Sequence, residues 1–90
     1  MPIVESQELN SIIPLSDLPT GGRGVIRQLR GGKDFTTRMA ALGFTPETEV
    51  LVIQNFGHGP LLVEVRDGRV ALGHGEALKV QVEAIRHVKK

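Results

Sequence analysis

The segment Leu61 to Leu72, LLVEVRDGRVAL, leaves a chain few options. Leu61, Val63 and Val65 alternate with Leu62, Glu64 and Arg66, the two-residue period of a strand with one buried face. Asp67-Gly68 then supplies the positive φ that a two-residue hairpin turn demands, and Arg69 to Leu72 returns. An isolated hairpin is at best marginally stable in water, so neighbouring segments must cover its apolar face.

Those neighbours can be read off the sequence. Glu49 to Asn55 is a strand rich in Val, Leu and Ile, Gly24 to Leu29 is another, and a last one runs from Lys79 to about Arg86 after a turn at Gly75-Glu76-Ala77. One helix lies between the first two strands. Asp34 is placed to cap it, Phe35, Met39 and Leu42 recur at helical spacing, and Gly43 ends it with Phe44 folding back on Met39. Thr45-Pro46-Glu47-Thr48 turns the chain, with Pro46 suited to the first central position of a type I turn. Pro14 to Pro19 forms a turn or a single helical turn, and residues 1–13 read as a leader preceding a domain over 14–90. About five short strands and one short helix predict a mainly β fold, a small and strongly bent antiparallel barrel.

Composition narrows the function. With no cysteine there is no disulfide framework, thiolate metal site or thiol redox chemistry, which fits a cytoplasmic setting. The N-terminal MPIVESQELNSII carries acidic residues where a secretion signal carries basic ones, and Val50 to Ile53 is far too short to span a bilayer. The net charge is +1, with every Lys and Arg at Arg23 or later. Nucleic acid is not expected as a partner: Tyr and Trp are absent and no helix is dense in basic and amide side chains. Gly21-Gly22-Arg23-Gly24 lacks the Lys-Ser/Thr that closes a phosphate loop. The serines of the N-terminal stretch have no nucleophile elbow, and Glu64, Asp67 and Glu76 read as solvated charges, so no catalytic residues, enzyme activity or cofactors are expected.

The triplet Gly-His-Gly occurs twice, at Gly57-His58-Gly59 and Gly73-His74-Gly75. If Arg66 faces Arg69 across the hairpin, then Leu61 faces His74 and His58 faces Ala77. The imidazoles are then staggered by about 10 Å and fall on opposite faces, which disfavours one shared metal. His58 and His74 remain weak metal candidates individually, completed by Glu76, His87 or another molecule. The simpler reading is that the glycines set two chain reversals.

In order, Pro14-Leu15-Ser16-Asp17-Leu18-Pro19-Thr20-Gly21, Thr37-Arg38-Met39-Ala40-Ala41-Leu42-Gly43-Phe44-Thr45-Pro46, Glu49-Val50-Leu51-Val52, Gly59-Pro60-Leu61, Val70-Ala71-Leu72, Glu76-Ala77 and Val80-Gln81-Val82 resemble the FeoA family, small cytoplasmic components of bacterial ferrous iron uptake. The resemblance implies an SH3-like barrel, non-catalytic, that docks on the membrane permease FeoB, a protein with its own GTP-binding domain, and modulates it. On that reading Arg38 and the stretch Gly57, His58, Gly59, Pro60, Leu61 are the expected partner contacts. Glu47 stands where the family commonly has glycine, which suggests a different turn, and Gly73-His74-Gly75 stands where basic residues are more usual. The alternative is a free-standing relative of the C-terminal SH3-like domain of iron-dependent repressors, a regulatory or metal-responsive binding module. A metal-sensing or storage module built on His58, His74 and His87, and a peptide-binding adaptor, are further readings.

Overall fold

A computed structural model describes residues 11–85. Six antiparallel strands form one sheet: β1 (Ile12–Pro14), β2 (Arg23–Leu29), β3 (Glu49–Gln54), β4 (Leu61–Val65), β5 (Gly68–Leu72) and β6 (Val80–Ile85). Their order across the sheet is β1-β6-β2-β3-β4-β5. Strands β2 to β5 form a meander, and β6 crosses back to lie between β2 and β1. Register shifts interrupt the β2–β6 ladder between Ile26 and Gln28, and the β3–β4 ladder between Val52 and Gln54. Such bulges increase twist and bend a sheet, which lets a short one curl around its own core.

The core comes from the alternation noted above. Leu61, Val63 and Val65 point inward with Val50, Val52, Leu72, Val80 and Val82, and the gaps are closed by Ile26, Phe35, Met39, Phe44, Leu15, Leu18 and Ala77. Two helices and one turn cover the sheet: α1 (Lys33–Ala41), α2 (His74–Leu78) and the 3-10 turn Leu15–Asp17.

Helix α1 ends as expected. Gly43 has φ +103, Phe44 N–H donates to Met39 O at 2.9 Å and Gly43 N–H to Ala40 O at 3.0 Å, the paired bonds of a Schellman end. Phe44 and Met39 are both fully buried. Its start is different. The helix begins at Lys33 with Gly32 as N-cap, and Asp34 lies inside the first turn with no side-chain cap bond. A carboxylate there still complements the positive helix end. Leu42, the C-cap residue, is 43% exposed, while Phe44 beyond the turn at Gly43 is fully buried.

Three further expectations are corrected. The hairpin turns at Arg66-Asp67, with Val65 paired to Gly68 and Leu61 to Leu72. Arg66 adopts φ +55 to allow this. The inner face is the same in both registers, but the observed one sets Arg69 opposite Glu64, where the expected one sets it opposite Arg66, a like charge. Residues 74–78 are helical where a turn was expected; Glu76 Oε1 accepts the Gly73 N–H at 3.1 Å and so satisfies a donor at the helix start. Finally, Glu47 has φ +74 at the third position of its turn, closed by Thr48 N–H to Thr45 O at 3.2 Å, which makes it type II rather than type I. The turn that favours glycine is thus kept with glutamate in it. Glu47 is held by Arg27, whose guanidinium donates to Glu47 at 2.6 Å and to Glu83 at 2.7 Å. Those two carboxylates, Glu47 first, raise the Arg27 pKa above its ordinary value.

Strand β1 was not foreseen. It pairs Ile12 with Glu83 and Pro14 with Gln81, and so straddles the boundary drawn between leader and domain. Pro14 is admissible there because β1 is an edge strand, where a missing N–H need not break a ladder.

Candidate functional site

The segment joining β3 to β4 is built around Asn55. Its side-chain amide donates to Ser16 O at 3.1 Å and to Leu18 O at 2.7 Å, while its Oδ1 accepts the Gly57 N–H at 2.8 Å. Its backbone N–H donates to Thr20 Oγ1 at 2.9 Å. Three of these bonds cross more than thirty-four positions of sequence, so one asparagine ties the β3–β4 loop to the 3-10 turn and its exit. Gly57 and Gly59 at φ +91 and +74 let the loop then double back toward β4.

Between these two fastened walls lies an open groove of about 500 Å³, lined by Ser16, Asp17, Pro19, Asn55, Phe56, Gly57 and His74. Phe56 is 69% exposed, unlike Phe35 and Phe44, which are in the core. Beneath the groove surface, Ser16 Oγ and His74 Nδ1 are buried without a hydrogen-bond partner. Buried polar atoms are nearly always paired, because an unpaired one costs about 1–3 kcal/mol. Two such atoms on residues lining one groove mark it off from the rest of the described surface.

The residues singled out in the sequence divide between this groove and elsewhere. Gly57 and His74 line it. His58, Gly59 and Pro60 are exposed on the loop beyond it, while Leu61 is fully buried in the core, so its side chain offers nothing to a partner. Arg38 belongs to a second cluster. Its guanidinium sits 3.0 Å from Glu76 Oε2 and 5.6 Å from the centroid of Phe35, and Lys79 Nζ is 5.2 Å from the same ring. Glu76 thereby joins α1 to α2 with one oxygen and caps α2 with the other. Arg38 is half-exposed but already paired.

The two histidines are on no strand: His58 is in the β3–β4 loop and His74 opens α2, so the strand stagger inferred for them does not apply. Among the described residues there is no group of three or more His, Cys, Asp or Glu placed to hold a metal ion, and His87 lies outside them. Sequence reasoning missed Ser16, Asp17, Asn55 and Phe56. The available signal was Phe56 itself, a large apolar side chain between turn-forming Asn55 and Gly57.

Comparison with known proteins gives this arrangement a context. A model of the FeoA domain matches residues 13–84. A Methanocaldococcus jannaschii protein named as a candidate Fe(2+) transport protein A is 26% identical over 70 residues, covering 78% of this chain and 84% of its own. A crystal structure described as an iron uptake regulatory protein, FeoA, superposes with a TM-score of 0.80 at 28% identity, over 83% of this chain and all of the other. Stenotrophomonas maltophilia FeoA, solved with zinc and described as an SH3 domain protein, is 34% identical with a TM-score of 0.66, over 76% of this chain and 86% of its own. A manganese-dependent transcriptional repressor shares the fold at TM-score 0.75 and 18% identity; this chain spans 37% of its length.

Proposed function

This chain belongs to the FeoA family, and from that premise we propose that it is a non-catalytic accessory of ferrous iron uptake that docks on the membrane permease FeoB from the cytoplasmic side and modulates it. The observation that carries the reading is the family match along residues 13–84, on an SH3-like barrel. Glu47, Glu49, Glu76 and Glu83 are engaged in ion pairs that fasten strands and helices. The groove is shallow and open, a shape suited to part of a macromolecule more than to an enclosed substrate. No helix among the described residues is long and apolar enough to cross a membrane, so association with a membrane system would go through a partner.

The test is affinity capture of the tagged protein from membranes solubilised under iron-limited, oxygen-free conditions, with identification of co-purifying proteins. Recovery of a GTP-binding iron permease is the expected result. Recovery of a metal-dependent repressor or of DNA, with no permease, overturns the reading in favour of a regulatory module, which the shared fold of the manganese-dependent repressor keeps as the second reading. Arg38→Glu is a poor probe of the contact face, because it would set a second carboxylate against Glu76 and loosen α1 from α2.

A further inference from the structure

We propose that the groove between the Leu15–Asp17 turn and the β3–β4 loop receives a guanidinium group, the arginine side chain of a segment of a partner protein. The lining contains one carboxylate, Asp17, and no lysine or arginine. Asp17 is exposed at the rim, free to meet an incoming cation. The lining also includes the exposed ring of Phe56; the π face of such a ring attracts cations and stacks well on a flat guanidinium. Below them are the two unpaired atoms, Ser16 Oγ and His74 Nδ1. A serine hydroxyl and a neutral imidazole nitrogen can both accept hydrogen bonds, and a guanidinium offers five donors and needs no acceptor in return. Ser16 is 7% exposed, and its hydroxyl is shielded from bulk water. A small rotation of the Ser16 or His74 side chain presents these atoms to a donor seated in the groove.

The site is also built in advance. Asn55 commits both side-chain donors to Ser16 O and Leu18 O and accepts the Gly57 N–H with Oδ1, so it fixes the spacing of the walls. A prepared site of this kind loses little entropy when a ligand enters. Charge, π face and orphan acceptors point to one chemistry. A divalent cation is a poorer fit, since no set of three ligating side chains converges among the described residues. An apolar side chain would leave both buried polar atoms unpaired.

The inference deepens the docking reading and rests on it for the identity of the partner, while the binding chemistry can be tested alone. The experiment is titration of the isotope-labelled full chain with N-acetyl-arginine methylamide, followed by amide and imidazole NMR shifts, with the lysine and leucine analogues as controls. The expected result is saturable change at Ser16, Asp17, Phe56, Gly57 and His74 with an affinity on the order of 1–10 mM, reasonable for one side chain. Asp17→Asn and Phe56→Ala should each weaken it by about two- to fivefold. Both positions are exposed, so neither change threatens folding. No saturable change, or equal responses to the lysine or leucine analogue, overturns the proposal. Arginine-specific shifts without capture of a permease would uphold the groove and sink the docking reading; capture without the shifts would do the reverse.

Discussion

Two polar regions of this small barrel are organised on opposite principles. On the outer face of β2, β3 and β6, Arg23 pairs with Glu49, and Arg27 pairs with both Glu47 and Glu83. At the groove, Ser16 Oγ and His74 Nδ1 are buried with nothing to bond to, beside a lone carboxylate and an exposed phenyl ring. The first region satisfies its polar groups within the chain and sits largely in solvent. The second is an open groove with two buried polar atoms left incomplete. Polarity that completes itself belongs to the fold, whereas polarity held unsatisfied by rigid neighbours is a candidate for recognition.

The largest test of that contrast falls on the residue that holds the incomplete region open. Asn55→Ala removes two donors to the carbonyls of Ser16 and Leu18 and the acceptor for Gly57 N–H. At about 1 kcal/mol per bond the loss should reach about 2–3 kcal/mol in urea unfolding, with the largest shift changes at residues 15–20 and 55–60. A loss under about 0.5 kcal/mol would mean that water replaces these bonds and that the groove is not prepared in advance.

On the paired face, the corresponding test separates backbone from charge. Glu47→Gly and Glu47→Ala both delete the carboxylate that Arg27 holds, so their difference reports only the φ of +74. Glycine should be the more stable by about 1 kcal/mol, read as a difference in unfolding midpoint. Equal stabilities would mean that the turn relaxes to another type once the ion pair is gone.

How far the sequence predicts each region follows from the range of the interactions involved. The Schellman end at Gly43-Phe44 and the alternation of Leu61, Val63 and Val65 are local signals, and both are realised. The hairpin register departs from the Asp67-Gly68 expectation by two residues, a shift that leaves the same side chains facing the core, so the apolar alternation does not choose between the two registers. Helix α2 had a legible sign in Gly73 followed three residues later by Glu76, masked by the glycines around His74. β1 spans three residues, too few for a period to show. The groove was the least legible feature, because Ser16, Asn55 and His74 meet only after the sheet closes. Of the residues named for partner contact, Gly57 lines the groove, and Leu61 was named from a run whose alternation already marked it as core.

The smallest expected effect is the most discriminating, because its sign differs between the two regions. Ser16→Ala deletes a buried hydroxyl that has no partner and leaves a methyl of similar size in its place. Removing an unsatisfied buried polar group should leave stability unchanged or raise it by about 0.5–1 kcal/mol, against the usual cost of truncating a buried side chain. The same change should weaken capture of arginine in the groove, so that stability and binding move in opposite directions. If Ser16→Ala instead lowers stability by about 1 kcal/mol or more, the hydroxyl has a partner such as a bound water, and the groove is another completed polar region. A neutral or stabilising change coupled to weaker binding would show that the unpaired hydroxyl is retained at the expense of stability, as a site for a ligand requires.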